Sequence, residues 1–365
     1  MAPETVREHS VVYAPRIQDL LARDAKVFRV DATTVGVADA RLMAEIVAAR
    51  PVLQTERSVY KPAAGADIPH DSATRTIRAL GQDVMAGIRK PPPPAGGLAG
   101  AWPYAPTSYL RRWLFGSDPL PVSLLARRGI TRSDTLSRLV DRAVTTWPGG
   151  AGGNRSRNGN VNGNRSGDRT GADHPPTAMA GLIRGADDPL ERRQAVAMYR
   201  RASATLCDGV AALAGNALWL LRTAPEPRQD LTAVLWETLR LLPPAWMLYR
   251  NGGDAYAGLH PEIRTEDNVA LLPLLMHRHP DYWSDPLEFR PRRWDGVADP
   301  EKTPGFMPFG FDGARCWAKH LVVPLAERLL TVALDHGLTI RSPRQDAPVP
   351  LRSLLSVRFE ASVGR

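Results

Sequence analysis

Two periodicities run along the chain. FRVDATTVGV, from Phe28 to Val37, is rich in β-branched residues and predicts strand; Ala38 to Ala49 then carries apolar residues at helical spacing. Ser72 to Arg89 predicts a basic amphipathic helix that stops before the prolines at Pro91 to Pro94. Two shorter helices are expected over Thr107 to Phe115 and Ser133 to Trp147. The longest helical stretch, Asp188 to Arg222, stays apolar along one face until Pro225 and Pro227 end it. Leu231 to Leu242 predicts another helix, closed by Pro243-Pro244. Short strands and turns come next, up to about Gly305, and a last long helix runs from Cys316, or just after it, to His336. The expected fold class is mainly α with a smaller β portion.

One stretch breaks both periods. Pro148 to Pro176 collapses to Gly, Asn, Arg and Ser, and cannot bury enough apolar surface to offset its ordering entropy. It reads as a flexible loop inside one domain, residues 1–365, because the residues after Pro176 complete a pattern begun before Pro148. With 365 residues, 43% hydrophobic and 23% charged, the chain can build a sizeable core and is not wholly disordered. The 47 Lys and Arg against 38 Asp and Glu leave a net charge of +9, which favours an acidic partner. Two cysteines, Cys207 and Cys316, exclude a disulfide-stapled scaffold and fit a reducing compartment. The N-terminal residues scatter charges and show no signal-peptide core. The most apolar run, Val269 to Met276, falls far short of the roughly 20 residues that span a bilayer. A cytoplasmic protein without a membrane or nucleic-acid partner is expected.

Three features could carry chemistry. Glu237 and Arg240 stand three apart on a helix and can pair, as many surface residues do with little effect. His277 to Trp294 is a polar, aromatic and proline-rich stretch without a period, which only specific side-chain hydrogen bonds can hold; planar Arg forks suit that task. Finally, Gly305 to Cys316, GFMPFGFDGARC, opens into a helix whose unpaired N–H groups and dipole favour a thiolate. Phe309 and Phe311 would wall it. A lone cysteine is otherwise most often a small buried hydrophobe.

Together and in this order, the three resemble the cytochrome P-450 family of haem-thiolate monooxygenases, with its E-x-x-R, its H-R-x-P…F-x-P-x-R-[FW] stretch and its F-G-x-G-x-[RH]-x-C-x-G loop. The likeness is strongest from Leu231 to Leu330. It implies the P-450 fold, a b-type haem ligated by the Cys316 thiolate, and electron donation from sulfur that favours O–O cleavage. It further implies a structural triad of Glu237, Arg240 and Arg293, and Phe309 packed beside the sulfur. Haem propionates would be met by Arg78, with Arg75 as neighbour, and by Arg250 after the Pro-Pro turn.

The sequence also departs from the family pattern. Asp312, Ala314 and Ala318 replace a glycine, an Arg or His, and a glycine, so that Arg315 is the candidate to take over a propionate contact. The family's acid–alcohol pair falls on Asp208 and Gly209, which keeps the acid and loses the hydroxyl; Thr205, a turn earlier, is the candidate substitute. Trp246 and Met247 are pocket candidates, with ordinary core packing as the equal alternative. The resemblance implies insertion of one oxygen atom of O2 into a small organic substrate, in bacterial secondary metabolism. Electrons would come from an acidic ferredoxin-type partner steered to Arg315, Lys319 and His320. Two other outcomes stay open. One is a haem-thiolate enzyme of oxidative coupling, ring closure or peroxide-driven chemistry; the other is a haem-binding protein without turnover.

Overall fold

A computed structural model describes residues 13–50, 68–115, 189–222, 230–310, 315–343 and 354–364. The expected loop at 148–176 and the expected helix at 133–147 lie outside them.

The first half of the fold obeys the two periods. Helix α1 (Pro15–Leu21) precedes a hairpin of β1 (Val27–Asp31) and β2 (Thr34–Val37), so the expected single strand is two antiparallel ones. Asp39 then caps α2 (Ala40–Ala49) by accepting from the Leu42 N–H at 2.9 Å. Helix α3 (His70–Ile88) stops short of the prolines, β3 (Gly100–Trp102) comes after them, and α4 spans Tyr104–Phe115.

Helix α5 (Pro189–Leu221) is the axis of the molecule, about 50 Å long at 1.5 Å per residue. It packs against α3, α4 and the two later helices α6 (Leu231–Leu241) and α8 (Lys319–Asp335). Its stretch Ala197–Leu221 is long and apolar enough to cross a membrane, contrary to the expectation that no such run exists, but 72% of that window is buried inside the protein. Being surrounded by helices, a core helix needs no polar face.

Four strands form one sheet in the order β1-β2-β5-β4, with β4 (Leu248–Arg250) antiparallel and β2 parallel to the buried β5 (Asn268–Leu271). The apolar run at 269–276 is this strand plus the single turn α7 (Pro273–Met276). A second sheet orders β3 beside β7 (Phe359–Ser362) and β6 (Thr339–Pro343). Asn216, wholly buried on α5, ties these parts together. Its Nδ2 donates to the carbonyls of Leu242 and Leu355 at 2.9 and 3.0 Å, and its Oδ1 accepts from Val357 N–H at 2.8 Å. With every polar atom of a buried amide engaged, the end of α6 and the C-terminal segment are fixed to the axis.

Candidate functional site

Helix α6 carries Glu237 and Arg240 on its buried face, both 0% exposed. Their fork-to-fork pair has lengths of 2.7 and 2.9 Å. Arg240 also donates to the carbonyls of His277, Pro286 and Glu288 at 3.0, 2.7 and 2.9 Å, which pins the aperiodic stretch after α7. Glu237 accepts in addition from Arg290 N–H and Trp294 Nε1, each at 3.0 Å. Arg293 completes the triad more loosely, with Nε 3.5 Å from Glu237, an ion pair longer than a hydrogen bond. A buried charge pair is tolerable only when its lone pairs and protons are met like this.

The network extends to the thiol loop through aromatic rings and one histidine. Burial pushes His277 down to about 3, so its ring is neutral. Met307 N–H must donate to Nε2 (2.8 Å), which leaves Nδ1–H to donate to the Leu239 carbonyl (3.2 Å). Trp294, Phe306 and Trp236 pack ring to ring, and Phe309 meets Trp236 edge-on at 6.1 Å. Gly310 then turns the chain at φ +79°, a conformation that glycine takes without strain.

The loop closes where Cys316 N–H donates to the Phe309 carbonyl at 2.8 Å, and the cysteine itself is exposed. Helix α8 begins at Lys319 with Ala318 as its N-cap and no side chain capping it. Cys316 therefore precedes the helix by three residues rather than opening it, still beside the positive end of the dipole. Residues 311–314, including Asp312 and Ala314, lie outside the described residues.

A cavity of about 970 Å³ opens beside α5. Thr205 and Asp208 of α5, Trp246 and Met247 after α6, Leu354 and Asp31 line it. Asp208 is half-buried; burial pushes its carboxyl above the usual aspartate value, while the Arg111 charge and the Thr107 hydroxyl pull it back. Thr107 Oγ1 donates to Asp208 Oδ1 at 3.1 Å. Thr205 instead turns its hydroxyl to its own helix, donating to the Arg201 carbonyl at 2.8 Å. At Gly209 an added Cβ would meet nothing within 4 Å.

The expected residues thus fall into separate groups. Glu237, Arg240 and Arg293 join the Phe309–Cys316 loop in one unit, while Asp208, Thr205, Trp246 and Met247 share the cavity. Of the three expected propionate cations, Arg315 belongs to the loop, while Arg78 and Arg250 belong to neither group. Arg78 sits off the buried stripe of α3 and is exposed, and its neighbour Arg75 pairs with Glu191 at 2.7 Å. Arg250 ends β4 and is not among the cavity-lining residues. The Arg315 guanidinium reaches Glu301 at 3.5 Å, where Lys319 joins it at 3.3 Å. Sequence reasoning missed Thr107 and Arg111, whose signal was faint: two polar residues four apart on the buried side of α4.

The donor set suits one kind of metal group. Among the described residues no three His, Cys, Asp or Glu side chains gather to hold an ion. The exposed thiol of Cys316 could hold a metal group that brings its other ligands with it, as haem iron does.

Comparison with known proteins agrees with this class of site. Residues 229–316 match the family described as Cytochrome P450. The chain is similar to a probable cytochrome P450 4d21 of Drosophila melanogaster (28% identical over 29% of this chain and 21% of the relative). It is also similar to cytochrome P450 monooxygenase iccC of Talaromyces variabilis (36% over 24% of this chain and 19% of the relative). The matched stretch spans about a fifth of each relative's length. The fold extends further. A zebra fish cytochrome P450 solved with progesterone superposes with a TM-score of 0.58 at 15% identity, covering 96% of this chain and 100% of that one. The haem domain of cytochrome P450DA gives 0.55 at 16%, covering 93% and 90%. Residues 229–316 thus resemble the cytochrome P450 family, and the described fold is that of solved cytochrome P450 structures, one of them a haem domain.

Proposed function

We propose that the protein is a haem-thiolate monooxygenase that inserts one oxygen atom of O2 into a small organic substrate, with Cys316 as the axial ligand. The observation that carries this is the hydrogen bond from Cys316 N–H to the Phe309 carbonyl, which joins an exposed cysteine to a phenylalanine packed on Trp236 beside the buried Glu237. When bound, haem supplies reductive activation of O2 and oxygen-atom transfer. The chain's own residues do the rest. The ion-pair network and the aromatic rings hold Met307 and Phe309 at the start of the loop. Trp246, Met247 and Leu354 give the cavity apolar walls that orient a substrate and exclude water. Asp208 holds a proton at a carboxylate oxygen on the cavity wall.

A small organic substrate in bacterial secondary metabolism is supported by similarity to cyclooctatin synthase and cyclooctat-9-en-7-ol 5-monooxygenase of Streptomyces melanosporofaciens (33% and 32% identical, over 21% and 24% of those chains). Electrons come from an acidic ferredoxin-type partner docking near His320 and Lys319. The test is the reduced, CO-bound spectrum of the haem-loaded protein. A thiolate-type Soret band is expected; a histidine-type band overturns the assignment.

The empty space at Gly209 favours a second reading, a haem-thiolate enzyme of oxidative coupling, ring closure or peroxide-driven chemistry. Product analysis after supplying hydrogen peroxide in place of electrons and O2 separates the two.

A further inference from the structure

We propose that Thr107 and Arg111 of α4 are positioning residues that tether Asp208 and govern its charge at the cavity wall, an inference that rests on the monooxygenase reading. Four residues apart, they share one face of α4, which packs on α5. Arg111 is only 6% exposed, and its Nε has no hydrogen-bond partner. A guanidinium so deeply buried is costly unless a counter-charge answers it. Among the described residues no carboxylate comes within ion-pair distance of Arg111; the negative group it acts on at longer range is Asp208, whose Oδ1 is held by Thr107 at 3.1 Å while the same side chain lines the cavity.

Asp208 therefore links a dry helix interface to the space a substrate would fill, with Oδ2 left to meet a ligand. The other charged groups of the cavity are Arg16 of α1 and Asp31 of β1, which pair with each other at 2.8 Å. Tyr249 also lines it, with its hydroxyl 3.4 Å from Thr34 Oγ1. Charge on Asp208 is consequently answered from α4. Burial favours the neutral acid, and the α4 residues favour the carboxylate. These opposed effects let the group release one proton into the cavity and take one back from solvent.

The test titrates the Asp208 carboxyl in haem-loaded protein by its infrared C=O band, assigned by its loss in Asp208→Asn. Arg111→Met and Thr107→Val should each raise the midpoint, Arg111→Met by roughly tenfold or more in proton affinity and Thr107→Val by less; Thr107→Ser should restore it. Unmoved midpoints overturn the tether. If Arg111→Met does not fold, the Thr107→Val and Thr107→Ser pair decides by the same criterion. The reduced CO spectrum of the same samples keeps the two readings apart. A missing thiolate band with shifted midpoints overturns the function and supports the tether; an intact band with unmoved midpoints does the reverse.

Discussion

Two charged clusters of this protein are built to opposite standards. Around Glu237 and Arg240 the fork-to-fork pair is supplemented by three carbonyls, a backbone N–H and an indole N–H. Around Asp208 and Arg111 one hydroxyl is the only hydrogen bond to the carboxylate among the described residues, and the guanidinium Nε has none. A fully satisfied network fixes a shape, and its charges have no freedom left to change. A partly satisfied one costs stability but leaves a titratable group responsive to a molecule entering the cavity. Under the proposed function, the first would stand behind the thiol that holds the metal, and the second would stand where protons are exchanged.

The sharpest way to break this contrast is at the ligand itself. Cys316→Ser should abolish the thiolate-type CO spectrum, whereas Cys207→Ser, buried on α5, should leave it intact. The reverse result would place the haem elsewhere. Next comes the satisfied network. Removing one partner strands a wholly buried charge, so Glu237→Ala or Arg240→Ala should cost about 3–5 kcal/mol and yield little folded holoprotein. Full haem content with an unchanged Tm would mean the pair is decorative.

The unsatisfied cluster should behave differently, with function failing before fold. Asp208→Asn should cut turnover by about 10²–10⁴-fold while preserving haem content. Gly209→Thr has room for its side chain and should raise product formed per electron consumed. Unchanged coupling in both variants would reduce this stretch of α5 to packing and favour the second reading of the function.

The smallest expected effect is on pH dependence. The folded protein binds the Asp208 proton more tightly than the unfolded chain, whose value is near 3.8. Stability from this group is therefore present at low pH and falls as pH rises through the folded value. Denaturation of wild type and Asp208→Asn across this window should show the wild type losing ground with rising pH. Parallel curves would mean Asp208 is solvated like a surface carboxylate.

Legibility in the sequence tracks this same divide. The helices at Leu231–Leu241 and Pro189–Leu221 are readable to within a residue or two, because prolines punctuate them and their apolar faces repeat. Glu237, Arg240 and Arg293 are readable as a set because their ordering along the chain is itself a pattern. The hairpin between β1 and β2 is not, since a two-residue turn leaves little mark in a run of β-branched residues. The placement of Arg78 was likewise not legible. Its segment gives a helix but not the direction of the neighbouring helices, and the stripe that packs runs through Thr76, Leu80 and Val84 instead.

What the sequence determined by itself is local: where helices start and stop, which cysteine precedes a helix, and which charges stand a turn apart. Backbone propensity and short-range spacing are properties of a segment, so a segment suffices to read them. Only the tertiary structure decided that Asp208 would meet Thr107 and Arg111 from a helix about a hundred positions earlier. It alone decided, too, that Arg315 would reach for Glu301. Such pairings depend on burial and on the relative placement of helices, and desolvation decides the charge of a group only after the whole core has closed around it.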